Sequence, residues 1–240
     1  MKIMLIRSFL AAILCTGALA QEDPSFRPRD VKAEFAGAAE NAEVKDPLRP
    51  FNEVMFLVND KLYFWVLKPL GQGWRKVAPE PARRGIGNFF TNLRAPGRTL
   101  NAALQGKWEK AGTEVKRFAV NTSVGVLGFK DAATERGAAA PSPEDLGQTL
   151  ARHRIGAGWY IVWPIFGPSD VRDTVGMFGD RMLDPVTYAG DSSFPIGLTE
   201  TINRTSQQIG RYEQLKSDAL DPYSLLRDLY LQRRARHIGQ

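Results

Sequence analysis

The chain has 240 residues, of which 43% are hydrophobic and 24% charged, with a formal net charge of +6. That length and apolar content allow one substantial core, or one and a half. The basic residues are spread out, apart from Arg233, Arg234 and Arg236. This argues against nucleic acid as a partner and leaves weak attraction to anionic headgroups as the natural use of the charge.

The first twenty residues read as an export signal. Lys2 and Arg7 give a positive start, Ser8 to Gly17 is mostly apolar, and Ala18-Leu19-Ala20 is a small-x-small cleavage site. The mature chain then begins at Gln21. Cys15 is the only cysteine, so no internal disulfide can form. A lipid-attachment cysteine wants Gly or Ala directly before it, and Leu14 stands there. Cys15 is therefore expected to leave with the signal rather than carry lipid. Residues 21–45 are polar, charged and Ala-rich and read as a mobile arm.

Structure is expected to begin at Asp46-Pro47, because Asp caps free amides and Pro tolerates the first helical turn. The pair recurs at Asp184-Pro185 and Asp221-Pro222. From Phe51 to Leu67, Phe51, Val54, Met55, Val58 and Leu62 fall at helical spacing, followed by Phe64, Trp65, Val66 and Leu67. Asn52, Glu53, Asn59 and Asp60 gather on one narrow polar face, with Phe56 and Tyr63 intruding on it. Such a helix suits a deep core or a bilayer interface, and taken alone it reads as core. Further helices are predicted over Ala82–Leu93, ending on Phe89 and Phe90, and over Leu100–Trp108, Thr113–Val124 and Thr199–Lys216. A last one opens at Asp221-Pro222 and carries Leu225, Leu226, Leu229 and Tyr230. Pro79-Glu80-Pro81 and the Ala-, Pro- and Ser-rich stretch from Arg136 to Asp145 punctuate the chain. Only Trp159 to Trp163 reads as extended, so the fold class is mainly α.

From Ile155 to Ser169 the chain carries no charge, yet holds two Trp, a Tyr and a Phe among Gly and Pro. It is too short and too interrupted to span a bilayer. It reads as an irregular aromatic element in a core, a membrane interface or a lipid-sized passage. Asp170 and Asp173, beside Arg172, read as a salt-bridged helix start rather than an acid–base pair. His153 and His237 read as surface histidines. No metal-ligand spacing, nucleophile elbow or phosphate loop is present, so no cofactor, metal or catalytic residue is assigned and an enzyme is not expected. A hydrolase reading would need a nucleophile such as Ser123 or Ser169, and neither stands in a recognisable setting.

Asp46-Pro47-Leu48-Arg49-Pro50-Phe51-Asn52 with Met55, Lys68-Pro69, Trp74-Arg75, Pro79-Glu80-Pro81-Ala82-Arg83 and Gly85-x-x-Asn88-Phe89 form the first part of a recognisable series. It continues through Leu104-Gln105-Gly106, Arg117-Phe118, Asn121-Thr122, Gly125 to Asp131 and Asp145 to Leu150. Gly156-x-Gly158 with Tyr160, Pro164-x-Phe166-Gly167-Pro168-Ser169, Val171-Arg172-Asp173 and Asp221-Pro222-Tyr223 complete it. In this order, across residues 46–236, the series resembles the MlaA (VacJ) family of outer-membrane phospholipid-transport proteins. The resemblance implies a single disc-like domain of amphipathic, membrane-embedded helices with an amphipathic central channel, on the periplasmic face of the outer membrane. It implies removal of phospholipid from the outer leaflet, a soluble periplasmic carrier of the MlaC type, and a trimeric porin as partners. A soluble periplasmic lipid carrier is the alternative reading. Family members are typically lipoproteins, and the context of Cys15 departs from that pattern.

With the resemblance, the interface reading of the opening helix outweighs the core reading. Phe51, Met55, Val58, Leu62, Trp65, Phe89, Phe90, Trp159, Trp163 and Phe166 become the expected membrane-embedded side chains. Gly156, Gly158, Tyr160, Arg172 and Asp173 become the candidates for the lipid route, the glycines as a hinge.

Overall fold

The computed structural model describes residues 46–239. The signal, the arm and Cys15 lie outside that range. Helix α1 (Arg49–Leu62) passes through a π-helical turn (Tyr63–Leu67) into α2 (Lys68–Val77), making one unbroken helical rod. Pro50 sits in the first turn, where a missing N–H leaves least unpaired, whereas Pro69 lies inside the rod directly after the π-helical turn, where the Lys68 amide already reaches back five residues to the Tyr63 carbonyl. Next come α3 (Glu80–Leu93), α4 (Ala95–Leu104), α5 (Trp108–Ser123), the short α6 (Ala132–Glu135) and α7 (Leu146–Arg152). A hairpin follows, β1 (Tyr160–Trp163) paired antiparallel with β2 (Gly167–Asp170), Tyr160 opposite Asp170 and Trp163 opposite Gly167. Helices α8 (Val171–Leu183), α9 (Ser193–Gln208), α10 (Arg211–Asp218) and α11 (Pro222–Gly239) complete the chain.

The mainly helical class is as read from the sequence, and several boundaries move. The helix expected over Leu100–Trp108 is α4, which ends at Leu104. Gly106 then adopts φ +75° and Trp108 opens α5. The helix expected over Thr199–Lys216 is two helices, broken at Gly210 with φ +102°. Residues with side chains avoid this left-handed backbone, so glycine places the break. Asp184-Pro185 opens only a 3-10 turn (Pro185–Tyr188), with Asp184 accepting from the Val186 amide at 2.9 Å. Asp131, Asp145 and Asp170 cap α6, α7 and α8 through their side chains.

The interior inverts the usual polarity. The largest fully buried side chains are Gln148, Glu114, Asn52, Asn101, Asn203 and Ser206. Arg98 and Glu114 form a buried ion pair at 2.7 Å, and Ser142 donates its amide to the same carboxylate. Arg94 joins Asp184 and Glu200, and Arg117 grips Asp131 with one guanidinium nitrogen on both oxygens. Apolar packing is confined to small groups, Phe90 with Val186 and Tyr160 with Val162 and Tyr223. Large apolar side chains meanwhile cover the outside. Among the described residues no helix is long and apolar enough to cross a membrane.

Candidate lipid-handling site

Helix α1 sorts its residues by hydrogen-bonding need. Asn52 and Asn59, two turns apart, lie on one face. Asn52 donates to the Tyr160 carbonyl at 3.1 Å and accepts from the Val162 amide at 2.8 Å. Asn59 donates to the Trp163 carbonyl at 2.9 Å and accepts from the Ile165 amide at 2.6 Å. Two side-chain amides thus satisfy the free edge of β1 as a third strand would. Ile165, at the hairpin tip, takes φ +72°, a region hostile to a β-branched residue, and Asn59 holds its amide there. Asp60 is buried and accepts from Tyr212 and Lys216 at 2.9 and 2.7 Å.

With the polar face turned in, the apolar face turns out. Phe51, Val54, Leu57, Val58, Trp65, Val66 and Leu70 are exposed, Trp65 by 74%. This corrects the core reading of the isolated helix. The narrow polar face needs partners from other elements, and they lie on the protein side. Trp159 is also exposed, by 61%. Met55, Leu62, Phe89, Trp163 and Phe166 are half-buried. Phe90 faces inward instead, packed on Val186, while its neighbour Phe89 stacks on Phe129 at 5.2 Å.

The five residues assigned to the route lie along one stretch with different surroundings. Gly156 has open space around its Cα, whereas Gly158 takes φ +75° and a Cβ there would meet Val171 at 2.9 Å. Gly158 and Trp159 border an open cleft of about 640 Å³ together with Asp46 and Pro47. Tyr160 is buried against Tyr223 and Tyr230. Arg172 is buried and fully engaged, by Asp170 and Asp173 at 3.3 Å each and by the Ile155 carbonyl at 3.4 Å. Asp170 also accepts from the Asp173 amide at 2.7 Å, the salt-bridged helix start read from the sequence. Asp173 accepts from Tyr230 and Arg234 at 2.6 Å each, and Arg234 reaches on to Asp145. These α11 partners, and the Asn52–Asn59 clamp, are the residues that sequence reasoning missed. The even spacing of the two asparagines on the polar face was their one visible signal.

The charge cluster shapes proton affinities. The Arg234 guanidinium holds the Asp145 carboxyl below its usual range against the opposing pull of burial. Partial burial, aided by the neighbouring Asp145, pushes the Asp180 carboxyl up to about 6 although the Leu146 amide and Asn101 donate to it. His237 corrects the surface expectation: it is buried on α11, and burial beside Arg233 and Arg234 lowers it to about 4. His153 is exposed, as expected. Ser123 donates to the Ala119 carbonyl, and Ser169 lies 3.0 Å from the Thr174 hydroxyl; neither hydroxyl bonds a histidine among the described residues.

Residues 44–237 match the family described as MlaA lipoprotein. The chain belongs to that family. An Escherichia coli K12 relative named intermembrane phospholipid transport system lipoprotein MlaA is 32% identical over 197 residues, covering 78% of this chain and 76% of the relative. An uncharacterized protein of Rickettsia felis is 30% identical over 233 residues, covering 95% of this chain and 90% of the relative. A solved chain from work on the structural basis for maintenance of bacterial outer membrane lipid asymmetry superposes with a TM-score of 0.72 at 32% identity. It covers 81% of this chain and 99% of that one. The family's name marks its members as lipoproteins, whereas Leu14 precedes Cys15 here.

Proposed function

We propose that the protein is a passive phospholipid conduit seated in the periplasmic leaflet of the outer membrane. In this reading it removes phospholipid from the outer leaflet and passes it to a soluble periplasmic carrier of the MlaC type, beside a trimeric porin. The observation that carries the reading is the inverted polarity: buried amides and ion pairs inside, exposed Phe, Trp, Leu and Val outside. Exposed apolar area on this scale marks a surface meant for lipid or protein. It also favours a membrane-seated conduit over a soluble carrier, which would turn its apolar face inward around one lipid.

The chain carries no nucleotide-binding motif, so the energy for net flow comes from the lipid gradient or from other components. Phospholipid has a charged head and apolar tails, and the cleft at Gly158 and Trp159 offers both polar and aromatic borders. We place the route there, with Gly156 and Gly158 as its hinge and Tyr160, Arg172 and Asp173 fixing the hairpin behind it. Attachment rests on the apolar surface, with the signal cut before Gln21; mass spectrometry of the mature N-terminus distinguishes this from an acylated Cys15. The protein is read as a non-enzyme: labelled phospholipid incubated with it should release no fatty acid. Deleting the gene should make phospholipid accumulate in the outer leaflet. Unchanged surface lipid, or recovery of the protein in the osmotic-shock fluid instead of the outer-membrane fraction, overturns the reading.

A further inference from the structure

Helix α7 ends in a way its sequence makes expensive. The Ile155 amide donates to the Leu150 carbonyl at 3.0 Å and the Arg154 amide to the Ala151 carbonyl at 2.9 Å. That pair of bonds is a Schellman motif, and it places Arg154 at the position where glycine is usual. Arg154 accordingly has φ +64°. Glycine would fit this backbone without strain, and an arginine stands there instead.

The arginine has no partner that explains it. The side chains of Arg152 and Arg154 make no hydrogen bond or ion pair among the described residues, and both residues are exposed. The surroundings are apolar. Ile155, next in the chain, is 48% exposed, and Trp159 follows. His153 Nε2 lies 3.3 Å from the carbonyl of Leu104, which brings the exposed Leu104 at the end of α4 against this corner. Trp108, also exposed, opens α5 four residues later. Free guanidinium groups flanking exposed Ile155 and the exposed Leu104, with exposed Trp108 and Trp159 a few residues along the chain from these, match a membrane interface, where apolar bodies sink and cationic heads meet phosphate.

We propose that Arg152 and Arg154 form a contact for anionic phospholipid headgroups, giving the membrane-seated protein a preference for negatively charged lipid at the corner where α7 runs into the Ile155–Trp159 segment. The proposal rests on the membrane-seated reading. Charge complementarity selects the ligand: Arg pairs with phosphate oxygens in a bidentate fork, and a fluid lipid surface supplies them without a fixed partner. A purely structural account, in which the two arginines only offset the negative end of the α7 dipole, makes a different forecast for one substitution.

The test uses the full chain and vesicles of phosphatidylcholine, with and without phosphatidylglycerol. The wild type should bind the anionic vesicles more tightly, and added salt should shrink the difference. Arg154→Gly and Arg152→Gln should each lower that preference about fivefold, and the double variant should abolish it. Binding to neutral vesicles should not change. Arg154→Gly should unfold at the same or a higher temperature, so its loss of preference is not a folding defect. Variants that keep the full preference overturn the proposal. A wild type that binds both vesicles equally overturns it while leaving the membrane reading intact, and points to an acidic protein surface. A wild type that ignores both kinds of vesicle overturns the membrane reading as well.

Discussion

The first and last helices of the fold treat their faces in opposite ways. Helix α1 exposes Phe51, Val54, Leu57 and Val58 and buries Asn52 and Asp60. Helix α11 keeps Leu225, Leu226, Leu229 and Leu231 half-buried and exposes Ala235 and Arg236. Its fully buried positions, Tyr223, Arg227 and His237, nevertheless carry polar atoms, like those of α1. The inward face of both helices is therefore chosen by groups that need partners, and the difference lies in what is left for the outside. Large apolar side chains are left exposed on α1, whereas on α11 they stay half-buried.

The sharpest challenge to that account is Arg234→Ala on α11. It removes the guanidinium that joins Asp145 and Asp173, leaving Asp173 to Arg172 and Tyr230 and Asp145 to the Gln148 amide, and losing one partner of such a largely buried ion pair costs about 3 kcal/mol. Denaturant unfolding in detergent should register this as a large drop in midpoint. On α1 the outward face should behave differently. Replacing Val54, Leu57 and Val58 together with Gln should leave unfolding in detergent within about 0.5 kcal/mol per site. The same triple change should weaken vesicle binding by roughly 1 kcal/mol per residue, since each side chain is about half exposed. If it unfolds the protein in detergent, that face is core after all. Asn52→Leu makes α1 more apolar, yet it should destabilise by about 2–3 kcal/mol, because the Tyr160 carbonyl and Val162 amide lose their partner. Equal or higher stability for this variant would falsify the clamp.

A smaller effect separates two titratable groups of the charged cluster, the half-buried Asp180 and the buried His237. Asp180 is raised in the folded state, so its contribution is greatest below the unfolded value and is lost as pH rises toward about 6. His237 is lowered, so its contribution is greatest above pH 6.5 and is lost as pH falls toward about 4. The two slopes oppose each other between pH 4 and 6. Asp180→Asn should leave the histidine slope uncompensated, making the variant lose about 2 kcal/mol more than the wild type on acidification across that window. His237→Gln should show the reverse. Parallel pH profiles for both variants and the wild type would remove either group from the balance.

Much of the site could be read along the chain, and some could not. The paired Asp170 and Asp173 around Arg172 were legible because caps and neighbouring charges act over three residues. Arg234 was visible only as part of a basic tail, since its partners Asp145 and Asp173 lie far upstream. Phe90 was indistinguishable from Phe89 by spacing; Val186, after α8, decided which of the two turned in.

The amino-acid order alone determined the family, the helical class and the approximate positions of most helices, but not where several of them start or break. Those depend on hydrophobic spacing and on motifs in fixed order. Of the three Asp-Pro pairs among the described residues, only Asp221-Pro222 opens a long helix with its Asp bonded to the first-turn amides, since Leu48 stands at the start of α1 without a side-chain cap and Asp184-Pro185 opens only a 3-10 turn. Which face of each helix meets the interior was decided only in three dimensions. A 3.6-residue period marks two faces without assigning either to the inside. On α1 the assignment came from backbone amides and carbonyls more than a hundred residues away, which Asn52 and Asn59 alone could satisfy.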